Sequence, residues 1–295
     1  MTSVHKTVLL NETIEGLNLQ KKLSERSLVL DCTFGGGGHS LEILLRYPNV
    51  KVIAMDQDKS AFEKAKGKFK GLENRITFVN KNFKDIEGEK VDAIIFDLGL
   101  SSDQLENSGR GFSFLRDEPL LMTMKENPKE EDLTASDIVN NWSEENLAKI
   151  IYGYGEEKLS RRIARAIVDA RQKSEIKSTF DLVKILEGAV GKAYKRQKLH
   201  FATRTFQAIR IAVNDELGVL QMGLQKGFEI LNIGGRMAVI SFHSLEDRIV
   251  KRFYQNKVKE GKAILINKKP ITAGVVEIKN NSRSRSAKLR ILEKP

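Results

Sequence analysis

The stretch SLVLDCTFGGGGHSLEILL, Ser27 to Leu45, limits what this chain can fold into more than any other. Leu28, Val29 and Leu30 form a short apolar run of the kind a buried strand needs. Four glycines follow, Gly35 to Gly38, and then Ser40, Leu41, Ile43, Leu44 and Leu45 open a helical pattern. A strand, a glycine turn and a helix in that order begin a βαβ unit. Glycine admits positive φ and lets a ligand approach the main chain, because no Cβ stands in the way. Such turns also serve purely steric ends, so the glycines need a second signal.

That signal is the next strand, Lys51 to Met55, which ends in Asp56. A carboxylate at the tip of the second strand, roughly 20 residues beyond the glycines, is where a βαβ unit holds the ribose of a nucleoside. Asp31 closes the first strand and gives the pattern DxTxGxG, whereas a dinucleotide fold begins GxGxxG and keeps that position apolar. A carboxylate there can face a cationic ammonium. S-adenosylmethionine carries an amino group and a sulfonium and has no pyrophosphate for a helix N-terminus to neutralise, so it is preferred to NAD. ATP is disfavoured as well, since GxxxxGK[ST] is absent.

Composition narrows the class. A chain of 295 residues holds one large domain, or a core domain with a smaller one, and buries enough surface to be stable without staples. The lone Cys32 excludes an internal disulfide and a multi-cysteine zinc site, and the four histidines are scattered, so no metal is expected. The N-terminus MTSVHKTVLLNET lacks a signal-peptide pattern and no apolar run is long enough to cross a bilayer, which predicts a cytoplasmic protein with no membrane partner. A formal charge of +11 and a pI near 9.5 point to a polyanion, RNA or DNA.

Along the chain, Thr7 to Leu10 leads into a helix capped near Asn11, Ser60 to Phe69 reads as a basic amphipathic helix, Ile76 to Val79 as a third strand, and Val91 to Leu100 as a fourth. This alternation predicts a parallel sheet covered by helices, with functional residues at the carboxyl ends of its strands. From Ser101 to about Lys198 no strand pattern occurs, and helices are predicted over Thr134–Asn141, Ser143–Tyr152, Glu156–Gln172 and Ser178–Val190. Apolar residues from Phe206 to Leu231 recur every three or four positions, predicting one long helix stopped by Gly234 and Gly235. Arg236–Phe242 reads as the fifth strand, HSLEDRIVKRFYQ as a helix, and Ala263–Ile266 and Lys288–Leu292 as the last strands. The expected fold is α/β, a class I, Rossmann-like, seven-strand S-adenosylmethionine-dependent methyltransferase layout with an inserted helical domain. Its expected boundaries are 1–103 and 199–295 for the sheet domain and 104–198 for the insertion.

The strand ends converge on one cleft. Asp31 and the turn at Gly35, Gly37 and Gly38 would hold the methionine part, Asp56 the ribose hydroxyls, and Asn82 with Phe83 the adenine, although Phe83 taken alone reads as core. Asp97, Leu98, Gly99, Ser101 and Ser102 would stand where methyl group and acceptor meet, with Asp97 a polar end to an apolar strand. His39 and His243 are candidate bases that rank behind Asp97.

The segments DCTFGGGGHS, FDLGLSSDQL, RGFSF, YGEEKLSRRIARAIV, ATRTFQAIRIAVNDEL, ISFHSLEDRIVKRF and NSRSRSAKLR resemble those of the ribosomal RNA small subunit methyltransferase H family over nearly the whole chain. The resemblance implies S-adenosylmethionine as cofactor, 16S rRNA or the small ribosomal subunit as partner, and methylation of N4 of a cytidine in the decoding region. It implies cofactor contacts at Gly37, Gly38, His39, Asp56, Phe83, Asp97 and Gln104, of which His39 and Gln104 rest on the resemblance alone. One departure stands out: where the family usually has PLDMRM this chain has PLLMTM, so Leu121 and Thr123 remove two charges. Many amino methyltransferases carry N/D-P-P-Y/F/W after the fourth strand. Here DLGLSS leaves Asp97, the carbonyls of Leu98 to Leu100, or the hydroxyls of Ser101 and Ser102 as groups that favour a positive amine nitrogen.

RNA contact is expected from Lys279 to Arg290, with Arg283 and Arg285 foremost and Lys288 and Arg290 on a strand, and from Lys192 to Arg204, where cations interleave with Tyr194, His200 and Phe201. Two rivals remain at this level: a methyltransferase for another RNA base, and a non-catalytic ribosome assembly factor, which the charge loss at Leu121 and Thr123 would suit. Oligomeric state has no signature in the sequence.

Overall fold

The protein is represented by a computed structural model that describes residues 7–22, 27–126, 128–191, 194 and 199–295. It forms two compact units, one of Met1–Gly99 with Leu217–Pro295 and the other of Leu100–Glu216.

The first unit is built on a parallel run of strands β1 (Ser27–Asp31), β2 (Val50–Asp56), β3 (Ile76–Asn80), β4 (Val91–Asp97) and β5 (Leu231–Ser241). Short strands β6 (Ile264–Leu265) and β7 (Ile271–Thr272) both pair antiparallel with β8 (Lys288–Glu293), which is itself antiparallel to β5. The order β3-β2-β1-β4-β5-β8-β6 is that of a Rossmann-like α/β fold, and it reverses between β1 and β4, where such sheets bind their ligands. Strand residues alternate between two buried faces. Val29, Ala54, Ile95 and Ile240 meet Ile14, Ile43 and Phe62 on one side, and Leu30, Ile94, Phe96 and Val239 meet Leu224, Phe228 and Tyr254 on the other. Full burial of each large apolar side chain contributes about 1.5 to 3 kcal/mol. The β3 to β4 crossover has no helix, only a 3-10 turn at Phe83–Asp85 and a loop. A cavity of ≈ 240 Å³ lies there, lined by Leu30, Ile53, Met55 and Val79.

Two features differ from the periodicity. The expected single helix from Phe206 to Leu231 is two, Thr203–Asn214 and Glu216–Ile230, parted by Asp215 in the left-handed region at φ 47. Asn214 Nδ2 donates to the Arg210 and Met122 carbonyls at 2.8 Å, and Arg210 makes a two-pronged ion pair with Glu216 at 2.8 and 2.9 Å. These local bonds hold a break that hydrophobic spacing alone cannot register, and they put the Thr203–Asn214 helix in the second unit. That unit therefore spans 100–216, wider than the expected 104–198. Secondly, Gly234 and Gly235 do not end a helix. They sit inside β5, where the pairing with β4 shifts register, Gly234 has φ +73, and a Cβ on Gly235 would lie 2.9 Å from the Asp92 carbonyl oxygen.

The second unit is helical, with no strand among its described residues. Ser102–Asn107, Ala135–Asn141, Glu144–Gly153, Ser160–Arg171, Thr179–Ala189 and Thr203–Asn214 bury Ile138, Leu147, Ile151, Ile163, Ile167, Leu182, Leu186 and Ile209. Thr134 with Asp137 and Ser178 with Asp181 form capping boxes, so the starts expected at those positions fall on N-cap residues. Among the described residues no helix is long and apolar enough to cross a membrane.

Candidate active site

The carboxyl ends of β1, β2 and β4 bring three aspartates to one edge of the first unit. Asp31 is buried; its Oδ2 accepts from the Ser40 hydroxyl at 2.6 Å and its Oδ1 from the Thr33 N–H at 3.2 Å. Asp56 Oδ2 accepts from the Gly35 N–H at 2.8 Å and its Oδ1 from the Asp58 N–H at 2.9 Å, so this carboxylate fixes the glycine turn across 21 residues of chain. Gly35 has φ 50 and Gly37 φ 74, conformations that side chains resist. A Cβ on Gly37 would meet the Phe34 ring at 2.7 Å and one on Gly38 the Thr7 hydroxyl at 1.8 Å, so these two glycines serve packing as well as access. Asp97 closes β4, its backbone N–H bound to Thr33 Oγ1 at 2.6 Å and its Oδ2 3.7 Å from His39 Nδ1.

Burial first, and a neighbouring carboxylate second, raises the proton affinity of each of the three carboxyl groups. Burial pushes Asp31 up to about 6 against the relief of Ser40 and Thr33, with Asp56 adding to the rise. Burial likewise puts Asp56 at about 6. Asp97 is pushed up to about 8, by burial first and then by the charges of Asp31 and Glu246. Its Oδ1 is buried and accepts no hydrogen bond among the described residues. Such an atom is costly unless a donor or a cation is brought to it.

The neighbours are more structural than their sequence suggests. Phe83 meets Phe96 edge to face at 5.5 Å, and a Cβ on Gly223 would approach its ring to 2.5 Å, so Phe83 is held by core on one side. Asn82 caps the turn through Lys84 N–H at 2.9 Å and donates to Gln57 at 2.8 Å. His243 caps the Ser244–Lys259 helix: its Nδ1 accepts the Glu246 N–H at 3.4 Å, and its Nε2 lies 3.2 Å from Glu246 Oε1.

The match of a family model described as the MraW methylase family to residues 2–295 decides the assignment. The chain belongs to the MraW methylase family. Two curated relatives of the same name, "Ribosomal RNA small subunit methyltransferase H" from Clostridium botulinum strains 657 / Type Ba4 and Kyoto / Type A2, are each 44% identical to it. Each alignment runs over 313 residues and covers 98% of both chains. A solved rRNA methylase from Streptococcus thermophilus superimposes with a TM-score of 0.46 at 12% identity, covering 99% of each chain.

S-adenosylmethionine is the cofactor of this methylase. The residues present fit it: a buried carboxylate oxygen that accepts nothing among the described residues and two further aspartates suit a ligand with two cationic centres. Two contributors escaped the sequence reading, Thr33 and Ser40. Both lie inside the DxT and GHS patterns already singled out, and small hydroxyl side chains beside a buried carboxylate are the signal.

The remaining expected residues fall in other settings. In the second unit, Ser101 and Gln104 satisfy each other in a capping box, Ser101 Oγ accepting the Gln104 N–H at 3.1 Å and Gln104 Oε1 the Ser101 N–H at 3.0 Å. The side chain of Ser102 and residues 192–193 and 195–198 lie outside the described ones. Arg204 stands 3.9 Å from the fully buried Glu157 carboxylate, which also accepts from Tyr194, so its charge serves a structural pair. His200 stacks between Phe114 and Phe201, at 4.5 and 4.3 Å. Thr123 is buried, its hydroxyl accepting from the Lys125 N–H at 3.2 Å, and buried Arg110 holds the Met124 and Lys125 carbonyls at 3.0 Å; a neutral side chain suits that position. In the first unit, Arg283 and exposed Arg285 lie on the 3-10 turn Ser282–Ser286, whereas Lys288 and Arg290 both pair with Asp247, at 3.1 and 2.7 Å.

Proposed function

We propose that this methylase transfers a methyl group from S-adenosylmethionine to N4 of a cytidine in the decoding region of 16S rRNA, working in the cytoplasm on the small ribosomal subunit or its RNA. The observation that carries the reading is the Asp97 carboxylate at the exit of β4, partly exposed as a whole but with one buried oxygen, Oδ1, that accepts nothing among the described residues. The name shared by its curated relatives supports the RNA, and the ordered motifs of the sequence support the cytidine.

An exocyclic cytosine amine is a poor nucleophile because its lone pair is delocalised into the ring. Its methylation therefore depends on in-line positioning, and on acceptors that favour the positive nitrogen produced as the C–N bond forms and the C–S bond breaks. When bound, S-adenosylmethionine supplies an already activated methyl group on a sulfonium centre. Asp31 and the turn at Gly35, Gly37 and Gly38 hold the ammonium end in this reading, with Ser40 keeping the Asp31 carboxylate in place. Asp56 takes the ribose hydroxyls, and Phe83 offers its remaining face to the adenine. Asp97 gives up its proton when positive charge is seated beside it, and its ionised carboxylate then favours positive charge on the amine. His39, 3.7 Å from Asp97, orients that carboxylate. The base must be splayed out of any helix to be reached, and Arg283 and Arg285 contact the phosphates around it.

Nucleoside mass spectrometry of 16S rRNA from cells with and without the protein tests the proposal. An N4-methylcytidine species that vanishes with the gene is expected. Loss of a different modified nucleoside, or no loss, overturns it.

A further inference from the structure

Strand β7 runs antiparallel to β8, and Thr272 pairs with Lys288, which in turn pairs with Ser241 at the carboxyl end of β5. Residues 273–287 therefore project from the same edge of the sheet as Asp31, Asp56 and Asp97. This segment contains the short helix Val275–Asn280, none of whose residues is buried. Its first two residues form the most exposed adjacent apolar pair among the described residues of the first unit, Val275 at 84% and Val276 at 74%.

Folding gives no reason for valines there. The first turn of a helix favours acidic or small polar side chains, and β-branched residues are poor helix formers. The pair is nevertheless held firmly. Glu277 Oε1 accepts the Leu9 N–H at 2.8 Å, the Asn281 N–H bonds the Glu277 carbonyl at 2.7 Å, and fully buried Ser284 donates to the Asn281 carbonyl at 2.7 Å. Ile271, Ala273 and Ala287 anchor both ends of the segment in the core. The result is a fixed apolar knuckle.

Charge identifies its partner. Between Lys268 and Arg290 there are seven cations and one acid, Glu277, whose carboxylate is turned inward to Leu9. Asp247 accounts for Lys288 and Arg290, while Lys268, Lys269, Lys279 and Arg285 are exposed. A rigid apolar pair within a cation-rich segment suits a polyanion that also presents flat apolar faces, which is unpaired RNA; proteins insert aliphatic wedges between bases in the same way.

We infer that Val275 and Val276 form a wedge that packs against an unstacked base flanking the target nucleotide, while the surrounding cations hold the adjacent phosphates. The inference rests on the RNA-methylating reading of the strand-end site. It adds how the substrate is opened.

The test uses the full-length protein and a decoding-region RNA hairpin carrying 2-aminopurine beside the target cytidine, whose fluorescence rises when that base unstacks. Wild type is expected to raise the signal on binding. The double variant Val275→Ser, Val276→Ser should lose most of the rise and bind about fivefold more weakly or worse, the low end of what one base contact is worth. Its salt dependence, its affinity for S-adenosylhomocysteine and its melting temperature should match wild type. Val275→Leu, Val276→Leu should restore the rise. An unchanged fluorescence rise and RNA affinity in the serine variant overturns the inference. A serine variant that keeps its RNA binding but loses self-association in sedimentation also overturns it, in favour of a surface for a second copy. If wild type unstacks the base but transfers no methyl to N4, the proposed reaction fails and the wedge stands.

Discussion

The Thr33 hydroxyl oxygen accepts the Asp97 backbone N–H at 2.6 Å and so continues, by a side chain, a β1 to β4 pairing whose backbone ladder stops at Asp31 and Ile95. The two strand exits that carry Asp31 and Asp97 are thereby fixed to each other. Replacing Thr33 by Val keeps the shape and removes the acceptor. Leaving the Asp97 N–H unsatisfied should cost about 1 to 3 kcal/mol. The expected outcome is a lower melting temperature and weaker S-adenosylhomocysteine binding, both restored by Thr33→Ser. A valine variant that binds and melts like wild type would show that the bond positions nothing.

The carboxyl cluster gives the protein two opposite responses to pH. Asp97, at about 8 instead of the ordinary 3.8, keeps a proton in the folded chain that the unfolded chain has lost. Its contribution to stability is therefore full below the unfolded value and disappears as pH rises through 8, and Asp31 and Asp56 behave likewise around 6. The ligand-free protein should lose stability between pH 5 and pH 9, which denaturant midpoints across that range (about pH 5 to 9) will show. Cofactor binding runs the other way. Cationic S-adenosylmethionine favours ionised carboxylates, so its binding should release protons and tighten as pH rises, by up to about tenfold per pH unit for each proton released. S-adenosylhomocysteine lacks the sulfonium charge and should tighten less. Calorimetry in two buffers of different ionisation heat counts the protons; equal, flat affinities for both ligands would refute the cluster's role.

Arg204 separates a structural cation from an RNA contact. Its guanidinium lies 3.9 Å from Glu157, whose side chain is wholly buried while that of Arg204 is 37% exposed. Removing Arg204 leaves a buried carboxylate with less compensation, and solvent reaching the arginine keeps the effect near the low end, about 1 to 2 kcal/mol. Arg204→Ala should lower stability, and Glu157→Gln in the same chain should recover part of it, as a double-mutant cycle measures. A stable Arg204→Ala variant with weakened RNA binding would return Arg204 to the RNA surface.

What the sequence revealed and what it hid follow from physics of different range. The β1 glycine turn, the Asp56 strand tip and the apolar run ending in Asp97 were legible because each is a local pattern with a single geometric meaning. The break at Asp215 was not, since Asn214 and Arg210 enforce it through partners at Met122 and Glu216 that periodicity does not contain. Gly234 and Gly235 read as a helix stop for the same reason: a register shift against β4 exists only once the strands are paired. Cations were the least legible of all. Arg204, Lys288 and Arg290 belong to a basic chain, yet each faces a carboxylate remote in sequence, Glu157 or Asp247. The Asp247 carboxyl shows the effect: burial pushes it up, but its bonds to Arg290 and Lys288 outweigh that and hold it below its ordinary value.

Asp97→Asn tests the chemistry itself. An amide has nearly the carboxyl's shape and resembles its protonated form, which the ligand-free protein already favours at neutral pH because Asp97 sits at about 8. The substitution should therefore leave the fold intact and remove the pH-linked loss of stability that Asp97 contributes. It cannot supply negative charge once a cation is seated at the site. If that charge favours the positive nitrogen in the transition state, methyl transfer should fall about a hundredfold to thousandfold, the usual worth of one preorganised electrostatic group, or about 2.7 to 4 kcal/mol of barrier. If Asp97 only orients the methionine part, affinity should fall instead and saturating cofactor should restore the rate. Single-turnover kinetics at saturating S-adenosylmethionine and RNA divide the two cases. A rate near that of wild type under those conditions would leave Asp97 a binding residue and move the search for the acceptor to the main-chain carbonyls that follow it.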